Sequence, residues 1–297
     1  MTKLRVSVGI GVGVIICALI LSAVAVSQIP AVAAGGLLHP ARHRLQQETP
    51  ENCESLAVSG AGIVLRGWRC RPASPSKGTV VYLHGIADNR GSGANTIKRY
   101  LARGLEVVAY DSRAHGESDG SACTYGYFEK EDLIRVLDTL GYRRPVVLIG
   151  TSLGAAVAIQ AASRDSRISA VVAAETFSDL RTVATERAPW VLTDGLIERA
   201  FRRAERDAHF EVDAVSPLKA ARDVRAPVLL IHGREDVETR PAHSERVLSA
   251  LAGPKRLILV DGAGHNQSLL RENVWAEIDA WIDDRIASTL DASTPRH

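Results

Sequence analysis

Val146-Val147-Leu148-Ile149 runs straight into Gly150-Thr151-Ser152-Leu153-Gly154 and then into Ala155-Ala156-Val157-Ala158-Ile159. Four apolar residues without alternation read as a strand buried on both faces. The small-residue run that follows reads as a helix, so the G-x-S-x-G between them is a sharp strand-to-helix turn. Its two glycines have a steric reason: strand and helix approach so closely there that neither position has room for a side chain. A serine at the tip of such a turn takes a strained backbone, exposes its Oγ, and sets the next N–H, that of Leu153, at the positive end of the helix. The bare pentapeptide also occurs by chance as an ordinary turn. The strand before it and the helix after it make Ser152 a candidate nucleophile.

Outward from this turn the same rhythm repeats. Apolar runs at Val80–Leu83, Val107–Tyr110, Ile168–Ala173, Val228–Ile231 and Leu257–Val260 alternate with helical patterns such as Glu129–Leu140. In that helix Leu133, Ile134, Val136, Leu137 and Leu140 form one apolar stripe. Strand, helix, strand with wholly apolar strands predicts an α/β fold, a mostly parallel sheet covered by helices on both faces. The rhythm breaks between Phe177 and Ser216, where Leu180–Glu186 and Leu196–His209 read as helices and no strand intervenes. An excursion of that length predicts a small helical cap over about residues 177–216, against the plainer reading of a solvated insertion. The expected domain covers 42–287, and residues 288–297 read as a frayed tail.

Before that domain, Lys3 and Arg5 precede an apolar run, Val6 to Val26, interrupted only by serines and glycines, and no further charge comes until Arg42. At about 1.5 Å per residue such a run matches the roughly 30 Å hydrocarbon layer. Residues 1–41 are therefore expected to be a transmembrane signal-anchor or, given Ala31-Val32-Ala33, a cleaved signal. The flanking cations would stay inside, leaving the domain outside the cytoplasm, either on a single-pass anchor in the cell membrane or secreted. Cys17 sits mid-segment and reads as inert.

Composition narrows the function classes. A net charge of +2 over 297 residues makes no basic field for nucleic acid. Four cysteines, without a CxxC pair or an HExxH, offer neither a disulfide scaffold nor a zinc site. Glu54 to Cys70 reads as a hairpin about Gly60-Ala61-Gly62. With Ala61 and Gly62 as a two-residue loop, Gly60 faces Ile63 and, counting outward, Cys53 faces Cys70 in a non-hydrogen-bonded pair. Its Cα atoms should approach to about 4.5 Å, within reach of a disulfide unless the register slips by one. Cys123 is then left over as a buried thiol.

A serine nucleophile needs a base, and the base needs an orienting acid. Among nine histidines, His265 alone combines a flexible loop, Gly262-Ala263-Gly264-His265-Asn266, with a place after the strand Leu257–Val260 and downstream of both other partners. His232 ends a strand and is expected to pack against the sheet. Asp236 lies a few residues past the strand Val228–Ile231 and can point back over the sheet edge. Glu235 and Glu238 fit that turn less well, while Glu175 and Asp179, after the preceding strand, compete with it. His84-Gly85-Ile86-Ala87-Asp88-Asn89 follows the strand Val80–Leu83. This turn can aim the Ile86 N–H at the site as a second oxyanion donor beside Leu153, with Asn89 tying it down.

These motifs together resemble the α/β-hydrolase superfamily from about Glu54 to Ile286. The resemblance is nearest to its serine-aminopeptidase-like and bile-acid-acyltransferase-like branch of small esterases and peptidases. It rests on Leu83-His84-Gly85, Tyr110 to Ser118, Gly150 to Gly154, His232 to Asp236 and Gly264-His265. It implies nucleophile, acid and base at Ser152, Asp236 and His265, with oxyanion donors at Ile86 and Leu153. Asp111 would be structural. One departure is Arg113-Ala114, where the family has Arg-Gly.

The expected function is a serine hydrolase that forms an acyl-enzyme on a small-molecule ester or thioester, with amides less favoured. No metal or cofactor and no nucleic acid partner are implied. The alternatives are a cofactor-free non-hydrolase on the same fold and a surface-tethered binding protein.

Overall fold

The computed structural model describes residues 24, 26–141 and 145–293, and these form two compact units. The larger, from His39 to Arg187 and from Glu211 onward, holds the sheet. Its strands are β1 (Cys53–Gly60), β2 (Ile63–Cys70), β3 (Thr79–Leu83), β4 (Glu106–Tyr110), β5 (Val146–Thr151), β6 (Ile168–Ala174), β7 (Val228–Gly233) and β8 (Lys255–Val260). They lie in the order β1-β2-β4-β3-β5-β6-β7-β8. β2 is antiparallel to both its neighbours, and every pairing from β4 to β8 is parallel. The apolar runs expected to be strands are strands, and β3 to β5 are buried nearly throughout.

Period-two alternation divides the strand side chains between two cores. Val81, Leu83, Val108, Leu148 and Val171 pack with α3 (Glu129–Leu140), α4 (Leu153–Ala162) and α8 (Ala242–Ala250). Val80, Tyr82, Val107, Ile149 and Val172 pack with α2 (Ala94–Ala102) and α9 (Glu272–Ser293) on the other face. The α3 range is the one its apolar stripe predicts. α9 continues through Ser293, beyond residue 287 where the domain was expected to end.

The hairpin has the expected register: Gly60 pairs with Ile63 and Cys53 with Cys70, and those two cysteines form a disulfide across a Cα separation of 3.9 Å. Ala61 and Gly62 both take positive φ (50° and 75°), the backbone that a tight two-residue hairpin loop demands. Cys123 is buried and free.

Two turns set up the site. From β3 the chain crosses to β4 on one side, then returns past β3 to β5 on the other. Such a reversal leaves a crevice outside the carboxyl ends of the diverging strands. Gly150 and Gly154 allow β5 and α4 to meet there. A Cβ on Gly150 would lie 2.4 Å from the Gly154 carbonyl, and one on Gly154 would lie 2.1 Å from the Leu83 carbonyl oxygen.

The smaller unit comprises the described part of the first thirty-eight residues and Ala188–Phe210. It contains helix α1 over 26–38 and α6 (Asp194–Ala208). Leu196, Ala200, Phe201 and Ala204 form the buried stripe of α6, and His209 closes it in a left-handed turn. Before it, α5 (Leu180–Glu186) is capped by the Asp179 carboxylate, which accepts from the Thr182 N–H. A single-turn helix, α7 (Pro217–Ala220), follows.

The expected transmembrane anchor needs correction. No helix among the described residues is long and apolar enough to cross a membrane. Residues 6–23 and 25 of the expected span, with Cys17, lie outside the described residues. The single-pass location and the membrane partner had rested on that span and lose their basis.

Candidate active site

Ser152 sits at the tip of the β5–α4 turn with φ 50° and ψ −110°. A side chain there pays strain of order 1–3 kcal/mol, and the surroundings hold it in place. The Ser152 N–H donates to the Ala174 carbonyl (2.8 Å), and its carbonyl accepts from the Ala156 N–H (3.1 Å). The N–H of Leu153 is the first of α4 and so has no carbonyl of its own helix to bond.

Three side chains from three loops converge here. The Ser152 hydroxyl lies 3.0 Å from His265 Nε2, and His265 Nδ1 lies 2.7 Å from Asp236 Oδ2. With Nδ1–H donating to the carboxylate, Nε2 is left as the acceptor for the hydroxyl proton. Asp236 is buried. Burial pushes its carboxyl up, but hydrogen bonds from His232, then His265 and the Thr239 N–H, outweigh this and hold it well below the usual carboxylate range. Its other oxygen, Oδ1, accepts from the Glu238 and Thr239 N–H groups (3.0 and 2.8 Å).

The turn after β3 closes on the serine, for a Cβ on Gly85 would lie 3.8 Å from that of Ser152. His84 fixes this turn. Its Nε2 accepts from the Ser112 N–H (3.0 Å), so Nδ1 carries the proton it donates to the Gly85 carbonyl (2.6 Å). Asn89 ties the end of the turn, accepting from the Gly91 N–H (2.9 Å) and donating to the His43 carbonyl (3.2 Å). Behind it Asp111 accepts from the Arg90 and Glu117 N–H groups (2.7 and 2.8 Å) and pairs with the Arg90 guanidinium. Ala114, where the resembling family has glycine, keeps φ 60°, the backbone that glycine adopts freely.

The competing carboxylates lie elsewhere. Asp179 caps α5, while Glu175 accepts from the Asn266 N–H at Oε2 (3.0 Å) and the Ser268 N–H at Oε1 (3.1 Å). His232, expected only to pack against the sheet, also touches the candidate acid. Its Nε2–H is shared between the Thr239 carbonyl (2.6 Å) and Asp236 Oδ2 (3.3 Å), and Nδ1 meets Ser244 Oγ (2.7 Å). The i, i+4 spacing of His232 and Asp236 across the turn after β7 was the available signal.

A second serine–histidine–carboxylate string occurs in the larger unit. Ser178 Oγ lies 2.9 Å from His243 Nδ1, and His243 Nε2 lies 3.1 Å from Glu186 Oε2. Ser178 is buried, and its own N–H also reaches Nδ1 (3.1 Å). That string staples the turn after β6 to α8 and exposes no hydroxyl. Among the described residues no group of three or more His, Cys, Asp or Glu side chains could hold a metal ion.

Comparison with known proteins agrees with the fold. A family model described as alpha/beta hydrolase fold matches residues 78–215, and one described as TAP-like protein matches residues 203–284. An uncharacterised protein of Bacillus subtilis, YqkD, is 27% identical over 230 residues, which is 74% of this chain and 75% of that protein. Among solved structures, the Pyrococcus furiosus esterase Pf2001 superposes with a TM-score of 0.68 at 22% identity, covering 84% of this chain and 99% of the esterase. An acetyl xylan esterase from Paenibacillus sp. R4 gives 0.62 at 21%, covering 86% and 92%.

Proposed function

Because this chain belongs to the α/β-hydrolase superfamily, we propose that it is a serine hydrolase cleaving carboxylic esters or thioesters through an acyl-enzyme. The observation that carries the reading is the pair of contacts from His265, one to Ser152 and one to Asp236, at a strained serine.

His265 Nε2 takes the Ser152 proton as Oγ attacks the substrate carbonyl carbon, and Asp236 holds the ring and balances the imidazolium that forms. The carbonyl oxygen becomes an oxyanion within reach of the Leu153 and Ile86 N–H groups, each worth roughly 3 kcal/mol of barrier. Support for Ile86 comes from the trans peptide it shares with Gly85. The Gly85 carbonyl points to His84, so the N–H on the same peptide points the other way. The tetrahedral species then collapses and the C–O or C–S bond to the leaving group breaks. His265 Nε2–H donates its proton to the departing alkoxide or thiolate. Water, deprotonated by His265, attacks the acyl carbon next, and Ser152 leaves with the proton as the acid is released. The names of the structural relatives favour esters within this class.

Hydrolysis of p-nitrophenyl acetate and butyrate by the full chain tests this. Turnover that is lost in Ser152→Ala supports it. A folded wild-type protein that hydrolyses neither ester, nor longer-chain analogues, contradicts it.

A further inference from the structure

Glu175 is the first residue after β6, and it takes φ 55°, a left-handed backbone that a glutamate enters only at a cost. It is fully buried. A buried carboxylate needs hydrogen-bond donors, and here the two donors both come from the loop that carries His265. The Asn266 N–H donates to Oε2 (3.0 Å) and the Ser268 N–H donates to Oε1 (3.1 Å). The carboxylate therefore reaches from β6 across the end of β7 to the loop after β8. Its own N–H donates to the Ile231 carbonyl of β7 (2.8 Å). One residue earlier, the Ala174 carbonyl accepts the N–H of Ser152 (2.8 Å). Asn266 takes φ 59°, and Thr151 Oγ1 donates to its side-chain oxygen (3.0 Å).

The last residue of β6 and the one after it thus hold the candidate nucleophile by its backbone and the candidate base by the backbone of its loop. We propose that Glu175 is a positioning residue that sets the separation of His265 Nε2 from Ser152 Oγ, a role resting on the reading of those two residues as base and nucleophile. It makes no contact with the hydroxyl. Its carboxylate clamps the two N–H groups that flank the loop on the far side of His265, and the left-handed turn swings the side chain over β7 to reach them. A capping glutamate that only stabilised the fold would serve as well from a relaxed backbone. The strain at Glu175 instead buys a fixed reference point shared by both partners.

Displacing a reacting group by about 1 Å costs on the order of 100-fold in rate. The test measures kcat and KM for p-nitrophenyl butyrate on wild type, Glu175→Gln and Glu175→Ala. Rates are normalised to serine titratable by a fluorophosphonate, and amide hydrogen exchange is followed at Asn266 and Ser268. For Glu175→Ala the expected result is kcat lower by about 100-fold with KM within about twofold, and faster exchange at both amides. Glu175→Gln, which keeps one acceptor oxygen and sets an NH2 against the other N–H, should fall in between, about tenfold down. It also keeps the test alive if the alanine variant does not fold. Unchanged kcat per titratable serine in a folded variant overturns the proposal. So does a loss carried wholly by fewer titratable sites, the mark of a merely structural role. An inactive, unlabelled wild type removes the hydrolase reading along with it, whereas an active wild type with an unimpaired Glu175→Gln removes this proposal alone.

Discussion

At the residue scale the chemistry turns on proton placement. Asp236 is held ionised by donors on both oxygens, and His232 supplies one of them. Because its carboxyl lies below the usual range, it stays ionised across the pH range in which an imidazole gains its proton. The acid limb of kcat/KM should therefore fall with a slope of one, reporting a single group. A slope of two would contradict this. Asp236→Asn puts an amide where the carboxylate stood and favours the wrong ring tautomer, so kcat should drop by about 10⁴-fold with little change in KM. Ser152, His265 and Asp236, each within hydrogen-bond distance of the next, could be picked out as candidates because each follows a strand in the order that the proposed site needs. Glu175 was legible only as a rival acid. Its partners lie 91 and 93 residues further on, and no local pattern encodes a contact of that range.

Elements carry the fold, and here the sequence was most readable. Strands buried on both faces must be apolar throughout, so Val146–Ile149 and Val228–Ile231 stand out without alternation. Helix α3 announces itself by the stripe of Leu133, Val136 and Leu137, which the structure buries. The hairpin was legible to the residue because a two-residue loop fixes every pairing beyond it, down to the disulfide. The transmembrane expectation rested on length and apolarity alone, and no helix among the described residues is long and apolar enough to meet it. The β5–α4 turn is the element on which the site depends. A methyl at Gly154 would overlap the Leu83 carbonyl, and backbone cannot yield as a flexible side chain would. Gly154→Ala should lower stability by several kcal/mol or prevent folding, read as the midpoint of urea unfolding. A variant as stable and active as wild type would show that strand and helix do not meet as described.

At the scale of the whole molecule, buried histidines set the acid limit of the fold. Burial and then the neighbouring His84 lower His115 to about 4, and its Nε2 is buried without a hydrogen-bond partner. His84 and His243 are lowered as well, burial leading in both. Neutral in the fold and protonated when unfolded, such groups make the unfolded state bind more protons as pH falls below about 6.5. Stability is thus complete above that value and declines through the acid range, for His115 by on the order of 3 kcal/mol once pH reaches about 4. Calorimetric melting temperatures from pH 7.5 to 4 should fall, less steeply in His115→Gln. A wild-type melting temperature that is flat from pH 7 to 5 would contradict this.

The proposed chemistry requires Ser152 to be an activated nucleophile. The most direct test incubates the full chain with an alkyl fluorophosphonate and maps the adduct by peptide mass. Stoichiometric phosphonylation at Ser152 is expected, abolished by prior heat denaturation and slowed by at least 100-fold in His265→Ala. A folded wild-type chain that stays unlabelled at Ser152, or that labels equally fast without the imidazole, would contradict it.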